Sequence, residues 1–448
     1  MTVSQRNLYW IRTLRSSLTI RIISTSVLIF ACYFTIGLQL AVVPSFVHLQ
    51  LGYNAVLAGL AISAQYVATL ISRPIAGRMS DSVGAKHTVR VGLLICATSG
   101  LVFLFSAWLE VYPLASFAVL IASRLILGFG ESSIATGATV WGIGRVGRDH
   151  TAQVISWSGI ASYGALAVGA PSGVWVHNNF GVGAIGVVGL TVALAGFLWA
   201  SATKAVRIEP GKNLAFGQVL GRILPYGLSL ALGGIGFGTI ASFITLFFAS
   251  RHWQNAGLSL SLFGLFFVAA RLLFAGTITK WGGYRVAIVS LAFECSGLIL
   301  LGLATVPAMA HAGAALAGFG FSLVFPALGV EAVRDIPTHD RGTALGVYTA
   351  FVDLSLGISG PIAGLIVFAL GYPPIFLFAA ATTACSIALL LRLYRKSAGR
   401  SSVADAPVPL NQDKRLLAAG KNWPVLSARD GRVERRAPDL SLPPPSAR

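Results

Sequence analysis

The residues Gly77-Arg78-Met79-Ser80-Asp81-Ser82-Val83-Gly84-Ala85-Lys86-His87-Thr88-Val89-Arg90 form a polar island between two long apolar runs. That arrangement reads as a short loop joining two membrane helices. Gly77 and Gly84 permit a tight turn. Asp81 is placed to cap a neighbouring helix N-terminus, and Lys86 and Arg90 mark the cytoplasmic face. The spacing returns 199 residues later in Gly276-Thr277-Ile278-Thr279-Lys280-Trp281-Gly282-Gly283-Tyr284-Arg285. Lys280 stands there where Asp81 stood, so any carboxylate function of the loop rests on Asp81.

Composition sets the class. Of 448 residues, 55% are hydrophobic and 11% charged. A soluble domain carries about 25% charged residues. The mean hydropathy of +0.76 and the 50 glycines point to an all-α polytopic membrane protein embedded in the lipid bilayer. The net charge of +18 would suggest nucleic acid as a partner in a soluble chain. Here the basic residues sit in loops and tails and follow the positive-inside rule, so no nucleic-acid partner is expected. Cys32, Cys96, Cys295 and Cys385 all lie in apolar runs, with neither metal nor disulfide spacing. The first apolar run is too long for a cleavable signal and reads as a retained helix.

Apolar runs occur at 20–47, 54–77, 88–108, 112–144, 152–177, 181–201, 222–250, 257–279, 285–305, 307–333, 342–369 and 373–394. A span needs about 20 residues, which makes twelve transmembrane helices. The turns on one side carry Arg78, Lys86, Arg145, Lys204, Lys280 and Arg334, and the other side carries only Arg251. Both termini are therefore expected in the cytoplasm. Gly128-Phe129-Gly130-Glu131-Ser132 matches Gly318-Phe319-Gly320-Phe321-Ser322, and Gly169-Ala170-Pro171-Ser172-Gly173 matches Gly360-Pro361-Ile362-Ala363-Gly364 with the prolines aligned. Both matches are offset by 190 residues, the mark of two six-helix pseudo-repeats. The expected organisation is a cytoplasmic segment 1–19, a bundle 20–201, a linker 202–221, a second bundle 222–394 and a Pro-rich, disordered tail 395–448.

These features resemble the major facilitator superfamily of transporters. The Gly77–Arg90 loop resembles its loop between helices 2 and 3, which implies that Gly77, Asp81, Gly84, Lys86 and Arg90 serve conformational gating. Arg124-Leu125-Ile126-Leu127-Gly128-Phe129-Gly130 resembles its helix 4 motif, whose arginine is implicated in proton coupling. Gly164 to Gly173 resembles the Gly/Pro motif of exporters that exchange substrate for protons. Ala170 interrupts the usual Gly-Pro pair, whereas Gly360-Pro361 keeps it. Gly169, Pro171, Gly173, Gly360, Pro361 and Gly364 are thus packing and antiport-motif candidates. Gly318–Val333 and Gly342–Gly364 look close to the YhhS-type branch of bacterial permeases, implying a bacterial inner-membrane protein.

A charge inside the hydrocarbon costs several kcal/mol, on the order of 3 or more, and is a functional candidate. Arg124 and Glu131 lie two turns apart on one helix face, too far for direct pairing without a bridge. The pair either couples protons or plays a structural part. Asp353 lies about 12 residues into the eleventh run, and its counterpart 190 residues earlier is Tyr163. Asp353 either binds substrate or protons, or hydrogen-bonds a helix backbone to fix packing. Glu294 sits in the ninth run, peripheral in this fold. Glu331, Arg334, Asp335, Asp340 and Arg341 form either a gating network with Asp81 or a solvated loop. Arg73 and Arg271 occupy similar places near helix ends and are expected to snorkel. Gln65, Tyr66, Trp157, Tyr163 and Tyr348 are cavity-lining candidates.

Other classes lack their chemistry. An ATP-driven pump needs a phosphate-binding loop, and no G-x-x-x-x-G-K-[ST] occurs. An intramembrane serine protease needs a base beside Ser359, and the histidines sit at helix ends or in loops. A receptor or scaffold would have no use for Asp353. The expectation is a non-enzymatic secondary transporter, a monomer without cofactor or metal. It exports a small molecule in exchange for protons, with a proton-coupled importer as the alternative.

Overall fold

The computed structural model describes residues 3–147, 150–206, 216–334, 336 and 341–404. Residues 207–215 of the expected linker, 405–448 of the expected tail, and Asp335 and Asp340 lie outside the described residues.

Hydrocarbon offers the backbone no hydrogen bonds, so apolar sequence of this kind closes its own bonds as helix. The spanning helices are α1 (Val3–Leu40), α2 (Ala55–Met79), α3 (Ala85–Trp108), α4 (Pro113–Val146), α5 (Thr151–Phe180) and α6 (Gly183–Ala202). They continue as α7 (Phe216–Ser250), α8 (Ala256–Phe274), α9 (Gly283–Gly302), α10, α11 (Arg341–Leu370) and α12 (Pro373–Ala404). α10 comes in two pieces, Pro307–Phe321 and Val324–Ala332. No strand occurs among the described residues. Ten described stretches are long and apolar enough to cross a membrane; Ala55–Trp108, at 54 residues, holds both α2 and α3, and α5 supplies the remaining helix. Local chemistry sets the starts. Asn54 accepts the Leu57 N–H at 3.0 Å to open α2. Proline in the first turn opens α4 and α10.

The Gly77–Arg90 stretch is not an open loop. Helical bonding runs from α2 into a wide π-type turn, Ser80–Gly84, with the Ser80 N–H donating to the Ala76 and Gly77 carbonyls. Asp81 therefore sits inside a helical turn and caps nothing: it is exposed, and α3 begins without a side-chain cap. Gly84 makes the corner at φ +110°. Gly282 makes the matching corner at φ +80° before α9, so the structural repeat here is 198 residues, not the 199 read from the glycine pattern. Lys86 turns to α6, where its Nζ donates to the Ser201 and Thr203 carbonyls at 2.7 Å each and caps the C-terminus. The Arg90 guanidinium lies 4.9 Å over the Phe197 ring of the same helix.

Small residues let the helices approach backbone to backbone. α5 packs on α1 through Gly169, where a Cβ would come within 2.8 Å of the Phe34 carbonyl, and through Gly173, where it would strike the Leu38 carbonyl. α2 and α11 join across the repeats: Cβ atoms on Gly59 and Gly360 would each strike the other's carbonyl, and one on Gly364 would sit 2.7 Å from Val56 Cα. α8 meets α5 similarly at Gly257, 3.5 Å from Pro171 Cα, and at Gly264, 2.7 Å from the Tyr163 carbonyl. Toward the Arg/Lys-rich end, a Cβ on Gly77, Gly276 or Gly346 would meet nothing within 4 Å.

These contacts set a test. Gly59→Leu forces the α2–α11 seam apart and should cost about 1–3 kcal/mol of stability. Gly346→Ala should be neutral or stabilising, because helical glycine is about 0.5–1 kcal/mol worse than alanine. Thermal melts of purified protein in detergent check both, and equal melting temperatures for Gly59→Leu and wild type would disprove the close seam.

Candidate functional site

The buried polar groups of the first repeat hang on one strip of α2. Arg124 of α4 is fully buried; its Nε donates to the Ala61 carbonyl at 3.2 Å and its Nη1 to Gln39 Oε1 at 2.8 Å. Glu131, also buried, accepts from Gln65 Nε2 at 2.8 Å and from the Thr69 hydroxyl at 3.0 Å. Arg124 and Glu131 do not pair with each other; each finds its own neutral partners on α2. Among the described residues, Arg124 Nη2, Gln39 Nε2 and Gln65 Oε1 keep unused hydrogen-bonding capacity. That is the chemistry of a site for water or a polar ligand. Gln39 and Thr69 were not foreseen, although Gln39 is a polar residue within the first apolar run and so offered a signal.

One turn beyond Thr69, Arg73 reaches across to α11 and forms a bidentate ion pair with Asp353. The second bond of the fork, Nη2 to Oδ1, is 2.9 Å. Asp353 is 3% exposed. Two expectations are corrected here. Asp353 pairs with an arginine side chain rather than a helix backbone, and Arg73, its side chain 17% exposed, turns to that carboxylate instead of snorkelling. Glu131 and Tyr33 lie within electrostatic reach of this pair.

Arg271 of α8 does not snorkel either. It is 4% exposed and donates from Nη2 to the Ser322 carbonyl at the break in α10. Pro326 causes that break. It has no N–H to give the carbonyl four residues earlier, which is that of Ser322. The Ser322 hydroxyl meanwhile donates to the Phe267 carbonyl at 2.6 Å. The guanidinium stands 4.9 Å over the Phe267 ring, and Tyr163 stacks on that ring at 3.7 Å. Phe237, Phe263 and Phe321 continue the aromatic wall.

The remaining candidates fall elsewhere. Glu294 faces inward at 1% exposure, between Leu291, Leu298 and Gly236 of α7, with neither carboxylate oxygen hydrogen-bonded among the described residues. Tyr348 is fully buried, its hydroxyl donating to the Phe325 carbonyl at 3.0 Å, and so ties α11 to α10 rather than lining a cavity. Glu331 accepts the Gly283 N–H at 3.0 Å and holds the start of α9. The network imagined with Asp335 and Asp340 lies outside the described residues.

The sequence profile of the major facilitator superfamily matches residues 25–255 and 226–429. An uncharacterized MFS-type transporter of Burkholderia mallei (strain SAVP1) is 54% identical over 380 residues, covering 85% of this chain and 93% of the relative. A similar protein of Pseudomonas aeruginosa (strain UCBPP-PA14), also described as an uncharacterized MFS-type transporter, is 51% identical over 383 residues, 86% of this chain and 95% of its own. The crystal structure of a D-xylose–proton symporter superposes with a TM-score of 0.68 at 15% identity, covering 82% of this chain and 97% of that one. At that identity the likeness is one of fold.

Removing one partner of a buried ion pair leaves a bare charge and costs about 3–5 kcal/mol. Arg73→Ala or Asp353→Ala alone should therefore lower the melting temperature sharply. The double variant Arg73→Ala/Asp353→Ala should recover much of the loss, giving a large coupling energy in a double-mutant cycle. Additive effects would mean the two side chains are not partners.

Proposed function

The chain belongs to the major facilitator superfamily, and on that premise we propose that it is a secondary transporter that exports a small molecule in exchange for protons. The observation that carries the reading is the Arg73–Asp353 ion pair spanning the two repeats, with Glu131 within electrostatic reach. A proton on Asp353 cancels its charge and releases Arg73, which loosens the α2–α11 seam. Loss of the proton restores the pair and the seam. Protonation is thereby tied to the rocking of two six-helix halves, 20–201 and 222–394.

The positive-inside rule puts the Arg/Lys-rich end in the cytoplasm, with both termini, in a bacterial inner membrane. On this reading an exporter loads from the cytoplasmic side, and the open glycine faces at Gly77, Gly276 and Gly346 leave room for that end to move. The small-residue faces at Gly169, Pro171 and Gly173 and at Gly360, Pro361 and Gly364 suit the exchange motif that they resemble. Gly77, Asp81, Gly84, Lys86 and Arg90 form the gate. Lys86 and Arg90 anchor its base on α6, and exposed Asp81 is available to the opposite half when the cytoplasmic end closes. Arg124 holds α4 to α1 and α2 and keeps Glu131 in register with the pair. Within the superfamily we place the chain in the YhhS-type branch, acting as a monomer.

Inverted vesicles loaded with a pH-sensitive dye and energised to an acidic interior test the exchange. Sugars, organic acids and toxic amphiphiles are added one by one. A substrate should release protons with wild type and not with Asp353→Asn. Equal release by the variant removes Asp353 from the coupling path. Accumulation of labelled solute by intact cells, without any proton release from vesicles, would make the protein an importer.

A further inference from the structure

The two seams between the repeats are built on one plan and finished differently. Gly59 and Gly257 stand 198 residues apart, and so do Arg73 and Arg271. Gly59 backs onto Gly360 of α11, while Gly257 backs onto Ala170 and Pro171 of α5. Farther along the same helices, Arg73 meets α11 and Arg271 meets α5, where a Cβ on Gly159 would strike the guanidinium Nη1. Arg271 is therefore the repeat-mate of Arg73. The carboxylate is not repeated. Asp353 is matched 190 residues earlier by Tyr163, one turn from Gly159.

Arg271 is left without a counter-charge among the described residues. Among them its hydrogen-bond acceptor is the neutral Ser322 carbonyl, and its Nε has no hydrogen-bond partner. Glu294 does not supply the charge, since neither of its oxygens is hydrogen-bonded. A bare buried guanidinium is costly, and arginine's planar fork matches carboxylate and phosphate oxygens. Nη1 packs against the α5 backbone at Gly159, where a Cβ would strike it, so the unpartnered Nε edge is the one left for an anion. The neighbouring wall is aromatic, formed by Tyr163, Phe267 and Phe237.

We propose that Arg271 is the anchor for an anionic group on the transported molecule. That group fills in the α5–α8 seam the place that Asp353 fills in the α2–α11 seam. The substrate class is a small organic anion with a flat or apolar body. This rests on the transporter reading above and adds the charge of the cargo and the residue that receives it.

The test uses purified full-length protein in detergent, titrated with benzoate, inorganic phosphate and neutral benzamide while thermal unfolding is followed. Benzoate should raise the melting temperature of wild type and benzamide should not. A response to phosphate as strong as that to benzoate would support the anion site and overturn the organic body. In Arg271→Gln the apparent affinity should fall at least tenfold, and Arg271→Lys should retain part of it. Tyr163→Asp leaves the arginine in place but supplies an internal carboxylate, so it too should lose the response. That variant keeps the test sound if Arg271→Gln folds poorly. No stabilisation of wild type by either anion, or equal binding by Arg271→Gln, overturns the proposal. Proton release in proteoliposomes separates the two readings. Arg271-dependent binding without proton exchange sinks the exchange mechanism and keeps the anion site. Asp353-dependent proton release driven only by neutral compounds does the reverse.

Discussion

A charge in hydrocarbon is costly without a partner, and in the first repeat this chain supplies most of the partners from one helix. Ala61, Gln65, Thr69 and Arg73 follow each other at four-residue intervals along α2. Four residues at about 100° each overshoot a full turn by about 40°, so the strip winds by about 120° from Ala61 to Arg73. It begins against α4, where Ala61 takes Arg124 and where Gln65 and Thr69 take Glu131. It ends against α11, where Arg73 takes Asp353. The winding converts a set of contacts within one repeat into a contact between repeats.

The strip can cross the seam because the backbones are already close. Gly59 and Gly360 leave no room for side chains between α2 and α11, and Ser63 donates to the Leu356 carbonyl at 3.2 Å between them and the ion pair. With lipid on the outside there is no hydrophobic gain in bringing two apolar helices together. Small residues and a few polar bonds must supply the attraction, and they are concentrated here. A seam held by one charge pair and a glycine contact is also one that a single proton can weaken.

The architecture was legible in the sequence because spanning length, loop charge and repeated glycines are local signals. The helices, the echoed turn and the close-packing roles of Gly169, Gly173, Gly360 and Gly364 follow from such signals. The partner of Asp353 was not legible: Arg73 is 280 residues away, and nothing in either helix selects the other. Asp81 was misread because a loop and a wide helical turn share the same polar, glycine-flanked composition. The break in α10 did have a local cause, Pro326, hidden by the uninterrupted hydropathy of 307–333. Its consequence, a free Ser322 carbonyl turned toward Arg271, depends on α8 lying alongside.

That carbonyl explains how the second seam can exist empty. Pro326 deprives Ser322 of its helical donor, and Arg271 takes up the freed acceptor. A neutral carbonyl takes one guanidinium N–H, but a carboxylate or phosphate adds an opposite charge and can accept from the planar fork bidentately. The unloaded seam is thus held, and held less well than an anion would hold it. In the first seam the better acceptor is covalently present as Asp353, which in the proposed mechanism a proton would release. In the second, the weaker acceptor is built in, and the proposed anion would outcompete it. On the two proposals above, two repeats of common design would respond to two different chemical signals, which is the asymmetry that exchange of unlike species across one moving interface requires.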